Sequence, residues 1–425
     1  MLKEFSLPPM RLINVKAFWV SILLYRLLLD YLYGNILAPL FSYMNFVYEP
    51  TYTSICISWG LLIITTLLIL PILCKDGVFV RNYVLLIFLM RFVPLTVVIK
   101  SIPQPDGFVI SQTVFWILHF LFLRNVKVPI LKKHESPLVF YIISILMVLS
   151  VLYVSGIYTG FRIDTNFFKL DFSEVYEQRA EARLYHMPLL ILYLRMASTN
   201  AIPVIMIYFM ENKKYAITIF LLIIVFLNFS IDGTKTTFFK LLLCFFIYFF
   251  IKGDILKKML LAFILLVLLS ILEYIFLGTE ILTYVLIRRA FFVPAILDTF
   301  YYDFIQEKGL LFFSHQYNGQ DIAFVIGDTY FSKDEMRANN GMFSDAFMNL
   351  GYFGCILYPI IYTYFLKISE NAMRGSNQTI MLYASLIYVW NMMSSEFTTT
   401  LMTHGLLLLT LTFYFLPNKR IREIS

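Results

Sequence analysis

The stretch KKMLLAFILLVLLSILEYIFL, Lys257 to Leu277, decides the fold class. Two lysines open it, an apolar run follows, and one acid, Glu273, lies near its far end. As a helix, about 20 such residues cross a hydrocarbon core roughly 30 Å thick. Similar runs recur along the 425 residues, and twelve spans are expected near 16–34, 52–74, 80–100, 107–124, 137–158, 187–210, 214–230, 235–252, 257–277, 343–366, 378–397 and 400–417. Composition agrees: the chain is 60% hydrophobic and 14% charged, and its mean hydropathy is +0.77. In lipid each segment must satisfy its own backbone polar groups, so helices are the expected spanning unit. The runs do not alternate with period two, as barrel strands would. Residues 1–425 are therefore read as one all-α, polytopic integral membrane domain, a helical bundle rather than a string of soluble domains.

Placing the N-terminus in the cytoplasm puts basic residues such as Lys132, Lys133, Lys213, Lys214, Lys257, Lys258, Lys367 and Arg374 in short inner loops. That is the positive-inside pattern, and it predicts both termini cytoplasmic. Two long loops, 159–186 and 278–342, then face outward. The first span is expected to serve as an uncleaved insertion signal, because no cleavage pattern follows it. Cys56, Cys74, Cys244 and Cys355 form no disulfide or metal spacing. The net charge of +7 is dispersed among span ends and does not point to nucleic acid. No phosphate-binding glycine loop follows a strand-like run, so ATP is not the expected energy source.

The first outer loop holds FSEVYEQRAEARLYH, Phe172–His186. Wound as a helix, it places Arg179, Arg183 and His186 on one face and its glutamates on another. Arginine's planar fork suits a phosphate. A solvated interfacial helix is the bland alternative. Charges inside spans favour the anion-binding reading, since Arg91, Arg195, Lys240 and Glu273 each cost energy in lipid and are expected to line a cationic, outward-open vestibule. Arg26 and Asp30, four residues apart, are expected to pair. In FSIDGTKTTFFK, Phe229–Lys240, the Asp-Gly turn sets Lys235 at a helix start that favours anions. The run from Arg288 to Gly309 is expected to lie as helices on the outer membrane surface, bent at Pro294, with Arg288 and Arg289 near head-group level and its aromatics anchoring at the interface. His315 has a pKa suited to proton transfer. Asn339, Asn340, Asp345 and Asn349 offer polar groups for sugar hydroxyls or for capping the next helix.

The VYEQRAEAR loop, the DGTKTTFFK hairpin and the long outer loop ending in ANNGMFSDAFMNLGYFG together resemble the O-antigen polymerase family (Wzy-type) across most of residues 140–410. That resemblance implies a glycosyltransferase C-like fold with two long periplasmic loops, in the bacterial inner membrane. It implies polymerisation of undecaprenyl-pyrophosphate-linked oligosaccharide repeat units into a surface polysaccharide, the growing chain moving to the non-reducing end of a new unit. Arg179 and Arg183 in the first loop, with Arg288 and Arg289 in the second, match the family's substrate-contacting arginines. Transfer is expected to need no metal or cofactor: Arg179, Arg183, Arg195 and Lys235 would stabilise pyrophosphate, Asn340 would contact substrate, and His315 or Asp345 would deprotonate the accepting hydroxyl. The implied partners are the lipid-linked glycans, the bilayer and a chain-length regulator protein. A ligase of the same pathway and a transporter or flippase for lipid-linked glycan are the alternatives.

Overall fold

The computed structural model describes residues 14–74, 77–129, 132–163, 181–182, 184–331, 336–339 and 341–417. The fold is all-α. Among the described residues the only strands are the two-residue pair Gln316–Tyr317 and Gln320–Asp321, an antiparallel hairpin. Helix occurs in each of the twelve apolar stretches. Among the described residues, eight helices are long and apolar enough to cross a membrane: Tyr52–Leu73, Val78–Ser101, Asp106–Asn125, Pro137–Thr159, Leu189–Glu211, Tyr215–Asp232, Ile255–Leu277 and Met342–Ala372. The last two expected spans, 378–397 and 400–417, are occupied by three helices. Gln378–Ser394 fills most of the first, while the second falls to the short Phe397–Leu401 and to Leu406–Phe415, and a helix of ten residues is about half of what a crossing needs.

Local chemistry sets the ends. Thr51 and Ser54 form a reciprocal capping box at the start of Tyr52–Leu73. The side chain of Asp254 accepts from the Lys257 amide and opens Ile255–Leu277, which closes on left-handed Gly278. Gly351 interrupts Met342–Ala372 at φ 59° and ψ −139°, a conformation open to glycine alone.

The chain forms two compact units: residues 1–126 with 254–363, and residues 127–253 with 364–425. In the first unit Val78–Ser101 is the central helix. Its apolar window is 94% buried, against 28% for Ile255–Leu277, which keeps most of its surface for lipid. Arg26 pairs with Asp30, and Lys100 reaches the same carboxylate at 3.3 Å while Trp59 lies over the guanidinium. This is a local structural pair, as its spacing predicts.

The run after Arg288 departs from a surface helix. A π-helix, Thr283–Phe292, leads into the α-helix Val293–Lys308, whose face from Ala295 to Ile305 is almost entirely buried within the first unit. Tyr301 is fully buried and donates to the Ala338 carbonyl; Tyr302 is buried and shares a hydrogen bond with Tyr352. These aromatics fill protein interior instead of sitting at an interface. Pro294 takes the second position of the α-helical part, directly after the π-helical turns.

In the second unit Leu189–Glu211 packs against Pro137–Val154, Tyr215–Asp232, Lys235–Phe250 and Gln378–Ser394. Gly405 brings the broken last stretch onto this helix. A Cβ there would stand 2.2 Å from the Ala197 Cβ.

Candidate functional site

Arg179, Arg183 and Asn340 lie outside the described residues. Among the described residues around the first loop, Tyr158 stacks on Tyr185 at 4.3 Å and donates to the His186 carbonyl.

The second arginine pair is in the first unit, on the π-helix Thr283–Phe292. Glu273 holds the start of this element. Its carboxylate accepts from the amides of Ile281 and Leu282 at 2.8 and 2.9 Å and from the Thr279 hydroxyl, so this acid serves as a helix cap. Extra residues in a helical turn redirect side chains, and such π segments occur frequently at functional sites. Here the turn buries Arg288 and leaves Arg289 exposed. The Arg288 guanidinium sits between the rings of Phe41 and Tyr284, at 4.7 and 4.6 Å, and approaches the Met44 sulfur. Its Nε is buried with no hydrogen-bond partner, and among the described residues no carboxylate comes within ion-pair reach. Arg289 lies over the same Tyr284 ring at 5.4 Å. Burial, followed by the charge of Arg289, lowers the Arg288 pKa, yet a guanidinium remains charged. Cation–π contacts give about 0.5–2 kcal/mol, whereas removing an ion from water costs several kcal/mol even after relaxation. The difference favours an incoming anion.

His315 and Asp345 lie on segments of the first unit that Asn349 braces together. Asp345 is buried in the first turn of Met342–Ala372. One turn later, the Asn349 Nδ2 donates to the Asp345 Oδ1 at 2.8 Å, and the Asn349 Oδ1 accepts from the Phe313 amide at 2.8 Å. Leu311 N donates to the Met348 carbonyl, and Ile322 N to the His315 carbonyl. The brace holds a costly backbone: Phe312, Phe313 and His315 all have positive φ, between 47° and 67°. For residues with a Cβ this conformation costs roughly 1–2 kcal/mol each. Such strain collects where side chains must be aimed. Asn349, read from sequence as a sugar contact, spends its amide on this brace.

The charges expected to line a vestibule have mostly found partners. Arg91 pairs with Asp298, whose carboxylate also accepts from Gln112 Nε2 at 2.7 Å and Ser344 Oγ at 2.6 Å. Trp116 donates in turn to Gln112. In the second unit Arg195 pairs with Asp232 and donates to Asn228. Lys235 occupies the first turn of Lys235–Phe250, half-buried and engaged with neighbours. Asp298, Gln112, Ser344, Asn228 and Asp232 escape sequence reasoning. One signal was available for Asp298: a lone acid in the apolar run VPAILDTF, Val293–Phe300, needs a buried partner.

Comparison of the chain with protein-family models, with curated proteins and with solved structures finds no match.

Proposed function

We propose that the protein is a glycosyltransferase that polymerises undecaprenyl-pyrophosphate-linked repeat units into a surface polysaccharide. In this reading it is a glycosyltransferase C-like enzyme of the bacterial inner membrane, with about twelve membrane helices. Both termini are cytoplasmic, and residues 159–186 and 278–342 are periplasmic. The observation that carries the proposal is the buried, acid-free guanidinium of Arg288 beside the exposed Arg289. A diphosphate leaving group accumulates negative charge as its bond to the sugar breaks, and preorganised cations away from water stabilise that charge most.

In the proposed reaction a hydroxyl at the non-reducing end of the new repeat unit attacks the anomeric carbon of the growing chain. The carbon–oxygen bond to the carrier diphosphate breaks, and the electron pair leaves with the diphosphate toward Arg288 and Arg289. The hydroxyl proton passes to His315 or Asp345. Arg179, Arg183, Arg195, Lys235 and Asn340 remain proposed substrate contacts, although Arg195 already has a carboxylate partner in Asp232. The donor carries its own activation, so the scheme includes no nucleotide, metal or cofactor. A chain-length regulator is the proposed protein partner.

Deletion in the host, with the surface glycan resolved on a gel, tests the reading. Survival of a single-repeat band with loss of the ladder supports polymerisation. Loss of all surface glycan supports ligation or flipping. Arg288→Met is expected to abolish the ladder at unchanged protein level, and a normal ladder in that variant removes the arginine pair from the mechanism.

A further inference from the structure

The second unit contains another buried cation without an acid. Lys240 is 7% exposed, on the helix Lys235–Phe250. An ammonium has three donors. Among the described residues the Lys240 Nζ uses one, to the Asn200 Oδ1 at 2.7 Å, and no carboxylate is within ion-pair reach. Asp232, eight residues earlier in the chain, is committed to Arg195 and the Thr234 amide.

The surroundings fix this group in place. Asn200 Nδ2 donates to the His404 carbonyl at 2.7 Å, so the amide oxygen must face the lysine. The Tyr383 hydroxyl donates to the Lys240 carbonyl at 2.8 Å. Ser395 Oγ and His404 Nε2 share a 2.7 Å hydrogen bond. Ser395 and His404 both belong to the break between Gln378–Ser394 and Leu406–Phe415. Irregular backbone at apolar depth is tolerated where it is buried in protein or lines a cavity, and discontinuous helices recur at binding sites in membrane proteins.

We infer that the Lys240 ammonium, held in place by Asn200 beside the Ser395–His404 break, is the donor of an oxyanion site for a diphosphate or phosphate group, separate from Arg288. The site stands on its own geometry. Joined to the proposed polymerisation, it would take the diphosphate of the second lipid-linked substrate, since each of the two substrates carries one.

The full-length protein in nanodiscs is titrated with farnesyl pyrophosphate and, separately, with inorganic pyrophosphate, by calorimetry. Two equivalents of farnesyl pyrophosphate are expected to bind wild type. Lys240→Met is expected to weaken one of them at least tenfold, and Arg288→Met the other. Binding of both probes at the Lys240 site identifies a general phosphate site; binding of farnesyl pyrophosphate alone identifies a lipid-linked ligand; either supports the inference. Unchanged stoichiometry and affinity in Lys240→Met overturn it. One equivalent, lost only in Arg288→Met, overturns the Lys240 site and leaves the proposed function standing. One equivalent, lost only in Lys240→Met, does the reverse. Methionine replaces a buried ion by an apolar chain of similar length, so the variant is expected to fold. Lys240→Gln serves as the second variant. A thermal shift by farnesyl pyrophosphate that is smaller in both variants than in wild type supports the site without calorimetry, and an equal shift in all three overturns it.

Discussion

Asp298→Asn is the sharpest probe of the packing in the first unit. The carboxylate of Asp298 faces Arg91, Gln112 and Ser344, and both ends of the ion pair are at most 3% exposed. Asparagine keeps the size and can still accept from Gln112, so the main loss is the charge that neutralises Arg91. For charge centres about 4 Å apart at an effective dielectric constant near 20, that attraction is about 4 kcal/mol. Breaking one side of a buried pair costs about 3–5 kcal/mol in measured systems, which agrees. For a unit of this size each kcal/mol lowers the melting temperature by about 2–4 °C, so the variant should unfold roughly 8–16 °C earlier. The assay is thermal unfolding of purified protein in detergent, followed by tryptophan emission, since Trp116 donates to Gln112 within the same network. Arg91→Met combined with Asp298→Leu should recover most of the loss, because no charge is left uncompensated. A shift below about 2 °C in Asp298→Asn, or a double variant as unstable as the two single losses added, would refute the idea that charge compensation holds this core together.

Two other substitutions test particular geometries. Asn349→Ala removes the acceptor of the Phe313 amide and the donor to Asp345, and should cost about 1–3 kcal/mol for each buried group left unsatisfied. Its readout is limited proteolysis, which should cut residues 309–318 faster; an unchanged cleavage rate there would show that the left-handed run holds itself. Gly405→Ala sets a Cβ 2.2 Å from the Ala197 Cβ and 2.6 Å from its Cα, at φ 68°. Overpacking of this kind costs about 1–3 kcal/mol, so melting should fall, and a wild-type melting temperature would contradict the close approach of the broken stretch to Leu189–Glu211.

What the sequence revealed follows the range of its signals. Hydrophobic runs are local, and the helices lie where the runs are. Arg26 and Asp30 are also local, four residues apart on one helix, and their pairing was legible. Arg91 and Asp298 are 207 residues apart, and no spacing rule joins them. Asp298 was also hidden by its setting, in a run that reads as a surface helix because it is too polar for a span and too aromatic for a free loop. In the folded unit the same aromatics are interior, and the acid among them is the counter-charge of the central helix. Arg195 and Asp232 are hidden in a milder way: they are 37 residues apart, with Asp232 at a turn that looked like a plain Asp-Gly hairpin.

The same distinction governs how a site is recognised in such a chain. Counting cations in apolar segments marks Arg26, Arg91, Arg195 and Lys240 alike, although the first three each hold a carboxylate. A compensated pair is explained by packing alone and says nothing about a ligand. Arg288 and Lys240 differ because, among the described residues, the first is offset by two aromatic faces and the Met44 sulfur and the second by one neutral amide oxygen. That deficit arises from distances to acids elsewhere in the chain, so it cannot be read from either residue's own neighbours in sequence. It is also specific about its remedy: an anion with several acceptor oxygens would satisfy the free donors and the charge together, whereas water would supply only the hydrogen bonds.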